Sequence, residues 1–203
     1  NTNPRGITQN GTYFWTTDNG ANDFVYKYWM NGTYTQDRIN LTLENNLNSV
    51  PTGITQNGTY FWIIDTVDDE VYQYWMNGTY TTFSFDTAGS GNVNNQGITQ
   101  NNTYIWVGDV VDLEAYQYWM NGTYTNFSFD TERSGNSNPQ GIAQNGTYFW
   151  IVDATDAEVY QYNMFSSEIF YIRTDNDGST ASANPATVNF TILPNNGYAV
   201  LFN

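Results

Sequence analysis

The residues of this chain that could do chemistry are carboxylates, asparagines and aromatic rings, because histidine and cysteine are both absent. Without them the chain cannot form a disulfide framework, a Ser-His or Cys-His nucleophile, or a zinc site of the Cys/His kind. Two carboxylates could still support glycoside hydrolysis, which needs a unique pair held at a set distance in a cleft. The acids of this chain recur at equivalent points along it instead, so we expect no enzyme activity.

One aspartate recurs where a predicted strand enters a turn. A carboxylate at such a position ordinarily accepts hydrogen bonds from turn amides, and we adopt this structural interpretation. The alternative is calcium, because oxygen ligands on loops suit a hard cation. The spacing matches no EF-hand loop, so we expect no cofactor and keep calcium as the alternative. The four positions are Asp18, Asp65, Asp109 and Asp153.

Asparagines form many Asn-x-Ser/Thr sequences, the acceptor for N-linked glycosylation. Asn-Gly is also a preferred hairpin turn, which would explain several of these sequences without any modification. Against that explanation, the acceptor survives in Asn101-Asn102-Thr103, where the glycine is lost. We therefore predict glycosylation at several of ten sites: Asn10, Asn31, Asn40, Asn57, Asn77, Asn101, Asn121, Asn126, Asn145 and Asn189.

Tryptophans occur in two series with different predicted roles. The first series is central in a predicted strand, where recurring aromatics usually form a core; its members are Trp15, Trp62, Trp106 and Trp150. The second lies near a strand end and could form a subunit interface or a platform for sugars; its members are Trp29, Trp75 and Trp119.

All these residues belong to an internal repeat. Gly-Ile-Thr/Ala-Gln-Asn begins at Gly6, Gly53, Gly97 and Gly141, with spacings of 47, 44 and 44 residues. In the second copy we predict four strands, over 53–56, 59–65, 71–76 and 79–86, with type I′ turns at Asn57-Gly58 and Asn77-Gly78. The middle strands are apolar on both faces, as expected for a sheet covered on both sides. Four antiparallel strands per repeat of this length indicate the blade of a β-propeller.

The pattern Gly-Ile-x-x-Asn-Gly-x-Tyr-Phe-Trp-Ile-x-Asp, followed by Glu-Val-Tyr-x-Tyr, resembles the blade signature of NHL-type and YWTD-type β-propellers. The resemblance covers residues 3 to about 162. It implies an all-β fold of tandem four-stranded antiparallel blades, at about 1–50, 51–94, 95–138 and 139–174. Residues 175–203 contain two further strand-like segments, which we interpret as a hairpin that caps the last blade, begins a fifth blade or mediates assembly.

Charge restricts the partners. The 203 residues include twenty acidic and five basic ones, for a net charge of −15. Such a surface repels nucleic acid and anionic membranes. No run of about 20 apolar residues is present, so we expect no membrane span.

Together these features predict a secreted, N-glycosylated structural protein of the cell surface, whose main partner is itself. We expect assembly into a filament or layer, in which the C-terminal strand pair complements a neighbour's sheet. The alternative is a lectin-like propeller with one sugar site per blade. A third hypothesis is part of a hydrolase or lyase whose catalytic residues lie elsewhere in a longer chain.

Overall fold

The structure, a computed structural model, describes residues 1–20, 23–44, 48–164 and 171–173. Its strands form four antiparallel sheets, each built from four consecutive strands in chain order, which we call blades 1 to 4. The predicted all-β fold of tandem propeller blades is therefore confirmed. The predicted C-terminal strand pair at 175–203 lies outside the described residues.

Each blade contains strands of similar length in the same order. Blade 1 has β1 (Pro4–Gln9), β2 (Tyr13–Asp18), β3 (Phe24–Trp29) and β4 (Tyr34–Asn40); blade 2 has β5 (Pro51–Gln56), β6 (Tyr60–Asp65), β7 (Glu70–Trp75) and β8 (Tyr80–Asp86). Blade 3 has β9 (Asn95–Gln100), β10 (Tyr104–Asp109), β11 (Glu114–Trp119) and β12 (Tyr124–Asp130); blade 4 has β13 (Pro139–Gln144), β14 (Tyr148–Asp153), β15 (Glu158–Asn163) and β16 (Tyr171–Arg173). Short helical turns at Leu41–Glu44, Ala88–Ser90 and Glu132–Ser134 follow the outer strands of blades 1 to 3.

The turns at the Asn-Gly sequences are hairpins, but the predicted type I′ conformation is wrong. Type I′ needs a positive φ at both central residues. Gly58 and Gly78 have φ of 87° and 92°, whereas neither Asn57 nor Asn77 is in the left-handed region. The physical reason is that each asparagine carboxamide accepts hydrogen bonds from backbone amides further along the turn, which holds an Asx turn instead.

Three apolar cores join consecutive blades. Each blade has a leading face, toward the preceding blade, and a trailing face, toward the following one. The core between blades 2 and 3 is typical: Trp62, Ile64, Val71 and Phe85 of the trailing face pack on Ile98, Ile105, Val107, Tyr116 and Tyr118 of the leading face. Equivalent cores join blades 1 and 2 and blades 3 and 4. This arrangement explains why the middle strands are apolar on both faces.

Glycine allows the first strands of neighbouring blades, which we call the inner strands, to approach closely. A Cβ atom added at Gly53 would lie 2.6 Å from the carbonyl oxygen of Gln96, and one at Gly97 would lie 2.7 Å from that of Gln140. No side chain can occupy such a space without moving the backbone. The first residue of the repeat motif is thus fixed by contact between blades rather than by a turn.

Apolar side chains are exposed on the two terminal faces of the described blade row. On blade 1, Ile7 is 66% exposed, whereas the equivalent Ile54 and Ile98 are 3% and 4% exposed. On blade 4, Val152 and Val159 are 41% and 45% exposed. Within the described residues, no apolar core joins blade 4 to blade 1. The described row therefore has three junctions with apolar cores and two ends without one, which we call the free ends.

Candidate functional site

The blades have two chemically different edges. Because successive strands alternate in direction, the turn after the first strand and the turn after the third strand lie at the same edge of each sheet. We call this the Asn-turn edge, and it carries the seven hairpin acceptors: Asn10, Asn31, Asn57, Asn77, Asn101, Asn121 and Asn145. The turns after the second strands and the linkers between blades lie at the opposite edge, which we call the acidic edge.

The turn between the first two strands holds its asparagine by the carboxamide oxygen. Asn57 Oδ1 accepts hydrogen bonds from the backbone amides of Thr59 and Tyr60, both at 3.0 Å. The same pair of bonds occurs at Asn10, Asn101 and Asn145. The oxygen thus anchors the turn, and Nδ2, the atom that a glycan would modify, makes none of these bonds.

The turn between the third and fourth strands places an asparagine beside a tryptophan. The backbone carbonyl of Trp75 accepts a hydrogen bond from Gly78 N at 2.8 Å, and the backbone amide of Trp75 donates one to Thr79 O at 2.9 Å. Asn77 Oδ1 accepts a hydrogen bond from Thr79 N at 3.0 Å. Trp75 is 43% exposed and its ring lies 4.6 Å from that of Tyr60. Trp29 and Trp119 have equivalent positions beside Asn31 and Asn121.

Three predicted acceptors lie away from these hairpins. Asn40 ends β4 and is half-buried, and its Oδ1 accepts hydrogen bonds from both the amide and the hydroxyl of Thr42. Asn126 is exposed in the outer strand β12, at a φ of 63°. Asn189 lies outside the described residues.

The recurring aspartate joins each blade by hydrogen bonds to the chain segment that precedes it. Asp65 is fully buried, and its Oδ2 accepts hydrogen bonds from the amides of Ser49 and Val50 in the linker from blade 1. Its Oδ1 accepts bonds from Val67 N at 2.8 Å and Asp68 N at 3.3 Å in the following turn. The equivalent bonds are made by Asp18 to its linker, and by Asp109 and Asp153 to both linker and turn.

These bonds account for the aspartates without a cation. Burial opposes ionisation of Asp153, but amide hydrogen bonds from Asp156, Ser137, Thr155 and Asn138 outweigh it and lower the pKa of this carboxyl. Over the described ranges, no group of three or more acidic residues is arranged to hold a metal ion. The aspartates therefore have a structural role, in which one carboxylate holds segments of backbone together by hydrogen bonds; we call this arrangement the clasp.

The acidic edge concentrates negative charge. Burial and then the neighbouring carboxylates of Asp109, Asp86, Asp65 and Asp68 raise the pKa of Asp69. The pKa of Asp23 is raised in the same way, by burial and then by Asp65 and Asp18. Carboxylates of consecutive blades therefore act on each other across the junctions.

The first tryptophan series lies in the junction cores, with one exception. Trp15, Trp62 and Trp106 are between 1% and 4% exposed. Trp150 is half-buried, because no further blade among the described residues covers its face. It borders a cavity of about 440 Å³ that the inner strands of all four blades also line. Among the described residues that line this cavity, Arg5 has the one titratable side chain, so these residues offer no carboxylate pair for hydrolysis.

Polar contacts across the junctions involve residues that the sequence analysis did not single out. Tyr118 of blade 3 and Ser90 of the preceding linker share a 2.6 Å hydrogen bond between their hydroxyls, and so do Tyr162 and Ser134 one blade later. The recurrence of Ser and Tyr 28 residues apart is visible in the sequence, but nothing in the sequence says that they meet.

These tyrosines predict a loss of stability at high pH. Burial raises the pKa of both Tyr118 and Tyr162 from 10.0 to about 12. Because the folded-state pKa is raised, their contribution is complete below pH 10 and is lost between pH 10 and about 12. Urea unfolding across this range should show the decline, and phenolate absorbance of the folded protein should show tyrosines that titrate late. Uniform titration of all seventeen tyrosines near pH 10 in the folded protein would contradict this prediction.

Comparison with known proteins identifies the fold. No protein-family model and no curated protein matches the sequence. Among solved structures, streptogramin B lyase superposes on 87% of this chain with a TM-score of 0.61 at 14% identity. A nidogen/laminin complex superposes on 79% with a TM-score of 0.52 at 15% identity, and a putative 6-phosphogluconolactonase from Bacteroides uniformis on 85% with a TM-score of 0.57 at 11% identity.

The matched portion of these structures varies. The chain spans 56% of the lyase, 57% of the lactonase and 76% of the matched chain in the nidogen/laminin complex. No helix in the described part of the chain has the length and apolar character needed to cross a bilayer. The similarities confirm the propeller resemblance, and at these identities they show the fold alone: this chain is a tandem repeat of four propeller blades.

Proposed function

We propose that this protein is a secreted, N-glycosylated structural component of a cell surface that associates with its own copies. The observation that carries the proposal is the Asn-turn edge, where seven acceptor sequences lie at one side of the blade row. A glycosyltransferase requires acceptors at accessible turns. The two edges then differ strongly, with carbohydrate at one and carboxylates at the other, as suits a layer or fibre with one face toward solvent.

A non-catalytic role is part of the proposal. The buried aspartates are engaged by backbone amides, and the lining of the central cavity has no carboxylate. Two structurally similar proteins are a lyase and a putative lactonase by name, but their fold is shared with proteins of many functions. The repeat-wide placement of the acids supports a structural role, because a catalytic pair would be unique to one blade.

Glycosylation can be tested one acceptor at a time. We expect Thr79→Ala to remove one glycan from protein made in an N-glycosylating host, because the acceptor at Asn77 requires a hydroxyl residue at that position. Thr79→Ser keeps the acceptor and is the matched control. The bond from Thr79 N to Asn77 Oδ1 uses the backbone, so both variants should keep the turn. Intact-mass spectrometry should show one glycan fewer for the alanine variant alone. Masses of the three proteins that differ only by the substituted side chain would contradict glycosylation at this site.

The expectation from the sequence that the C-terminal strand pair mediates assembly is tested by truncation at Thr174. Association lost in the truncated chain would support strand complementation. Unchanged association would assign assembly to another surface.

A lectin-like function is the second candidate, and the exposed tryptophans favour it. Trp29, Trp75 and Trp119 are 43–44% exposed, and each lies at a tilt against a tyrosine with ring centroids 4.5–4.7 Å apart. Such a platform could bind a sugar ring, once in each of the first three blades. Binding on a glycan array that Trp29→Ala, Trp75→Ala and Trp119→Ala together abolish would support this function. An array with no binding would favour the structural proposal.

A further inference from the structure

We propose that the trailing face of blade 4 docks on the leading face of blade 1 of a second copy, in the geometry that already joins blades within one chain. The inference rests on the proposed self-association and names the surfaces that produce it. Three internal junctions pair a trailing with a leading face. The two free ends are one face of each kind, so they are complementary to each other and not to themselves.

The space around Gly141 is the strongest evidence for this interface. Gly53 and Gly97 are needed because the inner strand of the following blade leaves no room for a Cβ atom. At Gly141 the nearest atom to an added Cβ is Val152 Cγ2 at 3.9 Å, an ordinary contact. Nothing within the described chain requires glycine there. A docked β1 strand would require it, because the backbone of Arg5 to Ile7 would occupy the place that β13 occupies beside Gly97.

The inner strands are also joined by a series of equivalent glutamine hydrogen bonds, one between each pair of consecutive blades. The side-chain Nε2 of Gln56 donates to Gln9 O at 2.9 Å, that of Gln100 to Gln56 O at 2.8 Å, and that of Gln144 to Gln100 O at 2.6 Å. Among the described residues, Gln144 O has no following glutamine in this series, and the Gln9 side-chain amide has no preceding carbonyl. Docking of a second copy pairs these two groups and continues the series.

The exposed apolar residues and the charges fit the same partner. Val152 and Val159 correspond to Ile64 and Val71 of blade 2, which blade 3 buries completely. Ile7, 66% exposed, corresponds to Ile54, which packs in the first junction. Blade 1 carries the basic residue Arg5, whereas blade 4 has carboxylates at its acidic edge. Docking would bring Arg5, near the start of β1, to that edge.

The contact is head-to-tail, which determines the assemblies it can form. Two copies whose free ends both meet would close a ring of eight blades. If the rotation does not close, copies add without limit and form a filament. The same interface serves both outcomes.

Sedimentation velocity across a range of concentrations tests the interface with the full chain. We expect wild type to associate and Gly141→Ala to weaken the association by about tenfold or more, because its methyl group meets the docked backbone. The unfolding midpoint of Gly141→Ala should match wild type. Gly89→Ala, where an added Cβ meets only Asp86 Oδ2 at 3.6 Å, is the control that should associate normally.

Cross-linking between two single variants tests the pairing directly. Gln9→Cys and Gln144→Cys should cross-link with a short thiol reagent when mixed, and neither should do so alone. The double variant Gln56→Cys/Gln100→Cys is the internal control for the geometry. Association that Gly141→Ala leaves unchanged would overturn this interface and leave self-association standing. A wild-type chain that stays single at all concentrations would overturn both and assign the face to the chain's own residues 174–203 or to another protein.

Discussion

Gly97→Ala should destabilise the folded chain by about 3 kcal/mol, whereas Gly141→Ala should change its stability by less than about 0.5 kcal/mol. The two glycines begin the same sequence motif in consecutive repeats. A methyl group at Gly97 would lie 2.7 Å from Gln140 O and 2.8 Å from Ile142 N, both backbone atoms that cannot rotate away. The neighbouring strand must therefore shift, and the core between blades 3 and 4 shifts with it.

Urea unfolding of the two variants at low protein concentration, where copies do not associate, measures this difference. Gly53→Ala is a second member of the destabilised class, with Gln96 O at 2.6 Å from the added Cβ. If all three substitutions cost the same, the glycines would be required by the strand itself and the distinction between internal and terminal blades would be wrong.

Asp65→Ala should cost about 3–5 kcal/mol, the largest effect that we expect from a single polar residue. The carboxylate is fully buried and accepts hydrogen bonds from four backbone amides, two in the entering linker and two in the following turn. Removal of the side chain leaves these donors unpaired in a protein interior. The linker and the turn would both lose the group that holds them together.

Asp65→Asn separates the hydrogen bonds from the shape of the side chain. The amide keeps one acceptor oxygen but presents a donor toward amides, so most of the loss should remain. Val67→Ala, in the same turn but 65% exposed, is the control and should change stability by less than about 0.5 kcal/mol. Chemical denaturation at neutral pH compares the three. A loss confined to calcium-containing buffer would indicate that Asp65 acts as a metal ligand and would contradict the clasp.

The strands and their order could be predicted because each repeat gives the same local signals. In the second copy, the strand ends lie within two residues of those expected, since apolar runs and Asn-Gly turns delimit them. The turn type could not be predicted from the dipeptide. The asparagine carboxamide competes with the backbone for the same amides, and it keeps Asn57 out of the left-handed region that a type I′ turn needs.

The burial of side chains at the two ends of the blade row also could not be predicted from the sequence. Trp62 and Trp150 occur in nearly the same motif, yet one is 1% exposed and the other is half-buried. Their difference depends on whether another blade follows, which no local pattern records. The same holds for Tyr118 and Ser90, because their contact crosses from one blade to the linker of another.

The placement of the acceptor asparagines at one edge follows from topology once the strands are known. Alternating strand direction sends the first and third turns of every blade to the same side. The repeated aromatic sequence beside Asn31, Asn77 and Asn121 then gives each of these acceptors a tryptophan neighbour. The sequence indicated the acceptors, and the fold adds their common orientation.

Electron microscopy of the purified native protein tests the central claim, a glycosylated protein that assembles through its own blades, most directly. We expect filaments or closed multi-copy rings of contiguous blades, with additional density at the Asn-turn edge and none of comparable size at the acidic edge. Isolated particles of four blades, without density beyond the polypeptide at those turns, would contradict both the glycosylation and the self-association.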